Sequence, residues 1–215
     1  MPQTRASYDK VAEHYAAEIG RELRGKPLDR ALLDTFAELT AGRTVLDLGC
    51  GPGHVAAYLA GRGVRAAGLD LSPAMCVIGR RDTGLPFCAA DMTALPVRDA
   101  ALGGIVCFYA VIHLDERQRA AAYREFARAL APGGHALVAF HTGDLAYATG
   151  TAQVLRLWWD EEVDLTFRYL DPVVEIDALG RAGLELVARL DRMPDPATEH
   201  ASQRSYLLVR RSAGD

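Results

Sequence analysis

Val45-Leu46-Asp47-Leu48-Gly49-Cys50-Gly51-Pro52-Gly53 decides how this chain is read. An apolar, β-leaning run ends in three glycines at alternate positions, and a helix-compatible stretch from His54 to Ala60 follows. Glycine has no Cβ, so it tolerates φ > 0 and lets the backbone come close to a ligand. The helix start beyond it offers N–H groups without intrahelical partners. A strand that turns this sharply into a helix is expected to hold a nucleotide-like molecule at the carboxyl end of a parallel sheet.

Two details narrow the choice of nucleotide. Counted as the dinucleotide pattern G-x-G-x-x-G from Gly49, the run puts Gly51 in place but sets His54 where the third glycine belongs. An acid, Asp47, also stands inside the strand end. A carboxylate there repels a pyrophosphate and favours a ligand with positive charge, such as a sulfonium.

Four further landmarks follow. Leu69-Asp70-Leu71-Ser72-Pro73-Ala74-Met75 ends a second strand in an acid, then starts a helix with a Ser N-cap and a Pro at its first position. A carboxylate at Asp70 suits a pair of ribose hydroxyls. Phe87 to Met92 is a short third strand ending in Asp91, and Ile105 to His113 is a buried strand with a polar tip. Ala129-Leu130-Ala131-Pro132-Gly133-Gly134 stops a helix and leads into a strand from His135 to Phe140.

In this order the landmarks resemble the class I S-adenosylmethionine (SAM)-dependent methyltransferases of the small-molecule, single-domain kind. The resemblance covers residues 8 to about 142 well and the rest as a general pattern. It implies an α/β, Rossmann-like, doubly wound sheet of seven strands in the order 3-2-1-4-5-7-6, mostly parallel, with the last strand antiparallel. The single domain spans residues 1–215, with a helical lid over 1–41 and an acceptor-side insertion over 142–171. Asp47, Gly49, Gly51 and Gly53 then form the cofactor turn, Asp70 takes the ribose, and Leu71 and Met75 line the adenine. Asp91 takes the exocyclic amine, Met92 adds a backbone contact, and Phe108 completes the cofactor set. Tyr8-Asp9-Lys10-Val11-Ala12-Glu13-His14-Tyr15 matches the family's Tyr-Asp-x-x-Ala-x-x-Tyr helix, which lies across the cofactor. Tyr15 either reaches the SAM carboxylate or packs in the core with Tyr8. Where the family has Phe-Asp before the fourth strand this chain has Leu102-Gly103, a departure that bears on local geometry.

In methyl transfer the leaving group is already cationic, so the protein's main tasks are to hold the partners collinear and to exclude water. Such positioning is worth about 7–11 kcal/mol. A base is needed only for an acceptor that carries a proton of unsuitable pKa. His113, just past the fourth strand, is the first candidate base, since its ordinary pKa of about 6.5 suits proton removal near neutrality; the alternative is that it packs under the glycine turn or caps the following helix. His141, ending the fifth strand, is the second, with a solvated strand end as its alternative. Tyr8, Tyr109, His113, Tyr147 and Trp158 are the candidate acceptor contacts. Of the adjacent Trp158 and Trp159 one is expected to pack and the other to line the pocket, while Asp160, Glu161 and Glu162 either greet a cationic acceptor or form a solvated loop.

Outside these motifs, Tyr8, Val11, Ala12, Tyr15 and Ile19 share one helix face, and a second helix carries Leu32, Leu33, Phe36 and Leu39. Asp115 and Gln118 form a capping box for the helix after the fourth strand. Thr142 to Glu161 reads as a loop and short helix, Val163 to Tyr169 as a strand, and Asp171-Pro172 starts a helix running to Gly183. Leu184 to Leu190 and Ser205 to Arg210 supply the last strands.

A net charge of −4 over 215 residues, and Phe108-Tyr109-Ala110-Val111 in place of Asn/Asp-Pro-Pro-Tyr, argue against nucleic-acid acceptors. The six histidines show no zinc spacing, so no metal is expected, and the four cysteines read as buried free thiols of a reducing cytoplasm. Met1 to Arg5 has no apolar leader and no stretch reads as a membrane span. The expected product is a cytoplasmic monomer or homodimer moving a methyl group from SAM to a small organic acceptor. The alternative is a SAM-binding fold with a non-methylating reaction or a regulatory role.

Overall fold

A computed structural model describes residues 2–197 and 199–213. Helices α1 (Pro2–Ile19) and α2 (Pro27–Leu39) precede strand β1 (Thr44–Leu48), α3 (His54–Ala60), β2 (Arg65–Asp70), α4 (Pro73–Thr83) and the short β3 (Phe87–Ala89). Strand β4 (Leu102–Phe108) leads through a 3-10 turn, Val111–His113, to α5 (Glu116–Ala129) and β5 (Leu130–Gly143). A hairpin of β6 (Ala152–Trp158) and β7 (Glu161–Arg168), then α6 (Pro172–Arg181), β8 (Leu184–Arg192) and β9 (Gln203–Arg211), complete the chain.

The main sheet has seven strands in the order β3-β2-β1-β4-β5-β9-β8. β1 to β5 pair in parallel, and β9 runs antiparallel to both β5 and β8. With the separate hairpin set aside, this is the expected 3-2-1-4-5-7-6 order with its last strand antiparallel. Side chains alternate across the sheet as strand geometry requires. Leu46, Ile105 and Cys107 join Tyr123, Phe126 and Leu179 on the α5–α6 face. Val45 and Val106 join Leu33, Phe36, Val55 and Leu59 on the α2–α3 face. Burial on both faces explains why β1 and β4 read as continuous apolar runs.

Caps fix the helix starts. The Ser72 hydroxyl accepts from Met75 N at 3.2 Å with Pro73 behind it, and Asp115 and Gln118 close a reciprocal capping box. Asp171 caps α6 by accepting from Val173 N.

Three local expectations need correction. Thr142 to Glu161 contains no helix: β5 extends to Gly143, and Ala152–Trp158 pairs antiparallel with Glu161–Arg168. The two-residue turn is Trp159-Asp160, both left-handed at φ 49° and 63°, which is the geometry of the hairpin turn usually marked by Asn-Gly. The α5 helix ends at Ala129, and β5 starts at Leu130 with its register to β4 shifted across Pro132-Gly133 instead of a separate turn. Of the four free cysteines, Cys50, Cys76 and Cys107 are buried and Cys88 is exposed.

Candidate active site

A cavity of about 650 Å³, part of it open to solvent, lies at the carboxyl ends of β1, β2 and β4. Gly49, Gly51, Asp70, Leu71, Met75 and Met92 line it from the strand ends and α4, and Phe108, Tyr109 and His113 from the end of β4. Tyr8 and Tyr15 close it from α1. Thr4, Leu69, Ala90, Ala110 and Leu114 complete the wall; as small or apolar residues one or a few places from the motifs, they carry no signal of their own, and only strand alternation could have pointed to Leu69 and Ala90.

Glycine is required in the turn for steric reasons. Gly49 and Gly51 sit at φ 66° and 51°. A Cβ on Gly49 would lie 2.2 Å from Ala110 Cβ, so the turn can press against the end of β4. Gly53 serves another purpose: it is the left-handed N-cap of α3, and a Cβ on it would meet the Phe87 ring at 2.4 Å. Its place is outside the cavity wall.

The two strand-end acids divide in the same way. Asp70 Oδ2 accepts from Gly51 N and Oδ1 from Ser72 N, both at 2.8 Å. These backbone N–H groups hold the carboxylate in place at the cavity wall. Burial raises its pKa above the usual carboxylate range, against the pull of those backbone N–H groups. Asp47 is turned away from the cavity. Its Oδ2 accepts from Ala56 N, in the first turn of α3, at 3.1 Å, supplying the cap that the Gly53 N-cap cannot. Burial pushes its pKa up to about 7. Asp91 is likewise off the wall between Ala90 and Met92, its Oδ1 accepting from Thr93 N at 2.8 Å and Thr93 Oγ1 at 2.7 Å.

α1 forms a roof and is tied down on two sides. Asp9 Oδ1 accepts from Ser72 Oγ at 2.5 Å and Ala74 N at 3.2 Å, at the start of α4. Across the cavity, Ser7 Oγ accepts from Asp164 N and Lys10 Nζ donates to Glu162 O, both at 2.8 Å on β7. Aromatic rings fill the space between. Tyr8 meets Tyr15 and Trp158 edge-on, with centroids 5.8 and 6.2 Å away. Trp158 and Trp159 stack on each other at 4.5 Å, and Trp159 stacks on His14 at 4.5 Å. Neither tryptophan lines the cavity: the left-handed turn at Trp159 brings both rings onto α1, an arrangement a regular strand does not permit.

His113 sits beneath this roof. Its Nδ1 faces Thr166 O at 2.9 Å and its Nε2 faces the Tyr8 hydroxyl at 2.8 Å. A carbonyl only accepts, so Nδ1 carries the proton, Nε2 is the bare nitrogen and Tyr8 donates to it. Burial lowers the His113 pKa to about 4 and raises that of Tyr8, with Tyr15 and Asp70 adding to the rise.

His141 is separate. It stacks on Tyr109 at 4.8 Å, its Nδ1 bonds Ser202 Oγ at 2.7 Å, and burial lowers its pKa to about 3. The Tyr109 ring stands between it and the site, and the Tyr109 hydroxyl is engaged with that of Tyr206 at 2.7 Å. Tyr147 stacks on Tyr169 at 5.3 Å, away from the cavity wall. Among the described residues no cluster of His, Cys, Asp and Glu suits a metal ion, and no helix is long and apolar enough to cross a membrane.

Residues 45–134 match the family of methyltransferase domains. The malonyl-[acyl-carrier protein] O-methyltransferase of Enterobacter lignolyticus is 34% identical over 140 residues, which are 64% of this chain and 52% of that protein. This chain spans about half the length of the curated relatives it matches. Among solved structures, the CcbJ methyltransferase from Streptomyces caelestis superposes with a TM-score of 0.70 at 21% identity, covering 98% of each chain. The 1,6-didemethyltoxoflavin-N1-methyltransferase of Burkholderia thailandensis, seen with 1,6-didemethyltoxoflavin and S-adenosylhomocysteine, gives 0.69 at 17% identity over 97% of this chain and 87% of its own. Residues 45–134 thus match a methyltransferase domain, and the chain shares the fold of these solved methyltransferases.

Proposed function

We propose that this protein transfers a methyl group from SAM to a small organic acceptor. The observation that carries the reading is Asp70: a carboxylate at the end of β2, fixed by backbone N–H groups and lining the cavity. It suits the paired hydroxyls of a ribose. Around it the residues fit a sulfonium nucleoside, since the bare backbone of Gly49 and Gly51 lines the cavity beside an apolar wall of Leu71, Met75, Met92 and Phe108. SAM supplies an electrophilic methyl group on a cationic sulfur.

The remaining work falls to the protein. In the proposal Asp70 orients the ribose, Leu71, Met75 and Met92 hold the base, and Gly49 and Gly51 admit the amino-acid end close to the backbone under Tyr15. Asp47 acts at a distance, by anchoring α3 and by a buried charge that a cation favours. Tyr109, Tyr8 and His113 face the acceptor. α1, within residues 1–41, is a lid that must lift for ligand exchange, and the hairpin within 142–171 is the acceptor-side insertion. The cysteines, none of them disulfide-bonded, suit a reducing cytoplasm.

The test is to incubate the protein with methyl-labelled SAM and a small-molecule extract of its source, and to identify labelled products by mass spectrometry. A labelled small molecule formed together with S-adenosylhomocysteine is expected. SAM binding without transfer to any component would favour a non-methylating role for the fold.

A further inference from the structure

We propose that Tyr8 and His113 form a proton relay, and that the acceptor therefore carries a proton on its attacking atom, as a hydroxyl or N–H compound does. The proposal rests on the methyl-transfer reading and goes beyond the choice of His113 as a base. His113 Nε2, its only unprotonated nitrogen, is 2.8 Å from the Tyr8 hydroxyl. His113 also lines the cavity, but this nitrogen is engaged by the phenol, so a proton reaches it through Tyr8. Tyr8 lines the cavity and has no other side-chain or backbone hydrogen-bond partner among the described residues, so its oxygen is free to accept from an acceptor X–H. Thr166 O holds the far side of the imidazole at 2.9 Å, so the ring cannot turn its protonated nitrogen to the phenol without losing that bond.

The step balances as follows. The X lone pair forms the new bond to the methyl carbon while the carbon–sulfur electron pair returns to sulfur. The X–H proton passes to Tyr8 Oη as the Tyr8 proton passes to His113 Nε2. One positive charge leaves the sulfur and one appears on the imidazole, so the net charge of the buried site is unchanged. The groups facing this pair are Tyr15 from α1, Arg168 from β7, which donates to His113 O at 2.9 Å, and Asp70 across the cavity. None of the three is placed to accept the proton from Nε2. Tyr8 belongs to α1, so the relay exists only with the lid docked, and the proton returns to solvent when the lid lifts.

Histidine ¹⁵N resonances of the full chain test this, with His113 assigned through His113→Gln and spectra taken in S-adenosylmethionine and in S-adenosylhomocysteine. His113 should keep Nδ1 protonated and Nε2 bare in both complexes, and Tyr8→Phe should move the Nε2 resonance while sparing Nδ1. Loss of the sulfonium charge should raise the acid midpoint of His113 by about one pH unit or more between the two complexes. An Nε2–H tautomer, or equal midpoints, would overturn the relay. With the acceptor that labelling identifies, Tyr8→Phe should lower kcat about 100-fold or more while changing the S-adenosylhomocysteine Kd less than about threefold. Wild-type kcat in that variant would also overturn it. If neither nucleoside binds, the methyl-transfer reading itself fails, and the tautomer read in the free chain judges the relay geometry separately.

Discussion

The floor and the roof of the cavity resist charge in opposite senses. The floor is made of strand ends, a glycine turn and carboxylates held by backbone N–H groups. The roof is made of side chains from α1, the hairpin and the 3-10 turn, with an imidazole at its centre. Burial raises the pKa of Asp47 and Asp70 below and lowers that of His113 above. Both halves thus favour their neutral forms in the resting fold. The comparison separates binding, assigned to the floor, from proton handling, assigned to the roof.

Loss of the floor's grip is the largest expected effect. Asp70→Ala removes two charge-assisted hydrogen bonds to the ligand, each worth about 1.5–3 kcal/mol, and should weaken S-adenosylhomocysteine by about 100-fold or more in calorimetry. Tyr147→Ala, off the wall, should leave that affinity unchanged. Equal affinities for Asp70→Ala and wild type would remove the floor from the account.

The roof predicts a pH dependence of stability. His113 titrates at about 4 in the fold and at about 6.5 when unfolded, so between these values the unfolded chain binds more protons. Its contribution to stability is present above about pH 6.5 and is lost as pH falls toward 4, by up to about 3 kcal/mol. Urea titrations at several pH values should show this slope flattened in His113→Gln. The floor predicts the reverse sign. Asp47, raised to about 7, contributes less as pH rises from about 4 to 7, and Asp47→Asn keeps an oxygen for Ala56 N while removing the buried charge. That variant should be more stable than wild type at pH 8, by about 1–2 kcal/mol. Matching slopes for the two variants would break the comparison. The smallest effect is expected at the hairpin, where Trp159→Ala removes stacking on Trp158 and His14 worth about 0.5–1.5 kcal/mol. It should speed hydrogen exchange in α1 and β7 more than in β1 or β2.

The floor was also the more legible half. Val45 to Gly53 and Leu69 to Met75 are continuous in sequence, and their turn, cap and periodicity signals are local, so the strands, the glycine turn and the place of Asp70 at a strand end could be read directly, while the strand order came from the family resemblance. The direction of Asp47 could not, because its partner is created only when α3 packs over β1. The roof joins residues from three separate segments. Nothing near Trp159-Asp160 announces a hairpin, since bulky residues seldom take φ > 0 and the usual glycine is missing. Tyr8 and His113, 105 positions apart, meet only through docking of α1, so each was visible as a candidate while their bond was not. His141 stood at a strand end and Tyr147 in the stretch beyond it, and in the fold Tyr109 and Tyr169 stack on their rings.

The central claim is that a sulfonium nucleoside lies between this floor and this roof. A crystal structure of the chain grown with S-adenosylhomocysteine tests it most directly. The account predicts the ribose hydroxyls on Asp70, the base against Leu71, Met75 and Met92, and the sulfur facing the Tyr8–His113 pair. A nucleoside bound elsewhere, or a cavity without one at saturating concentration, would contradict it.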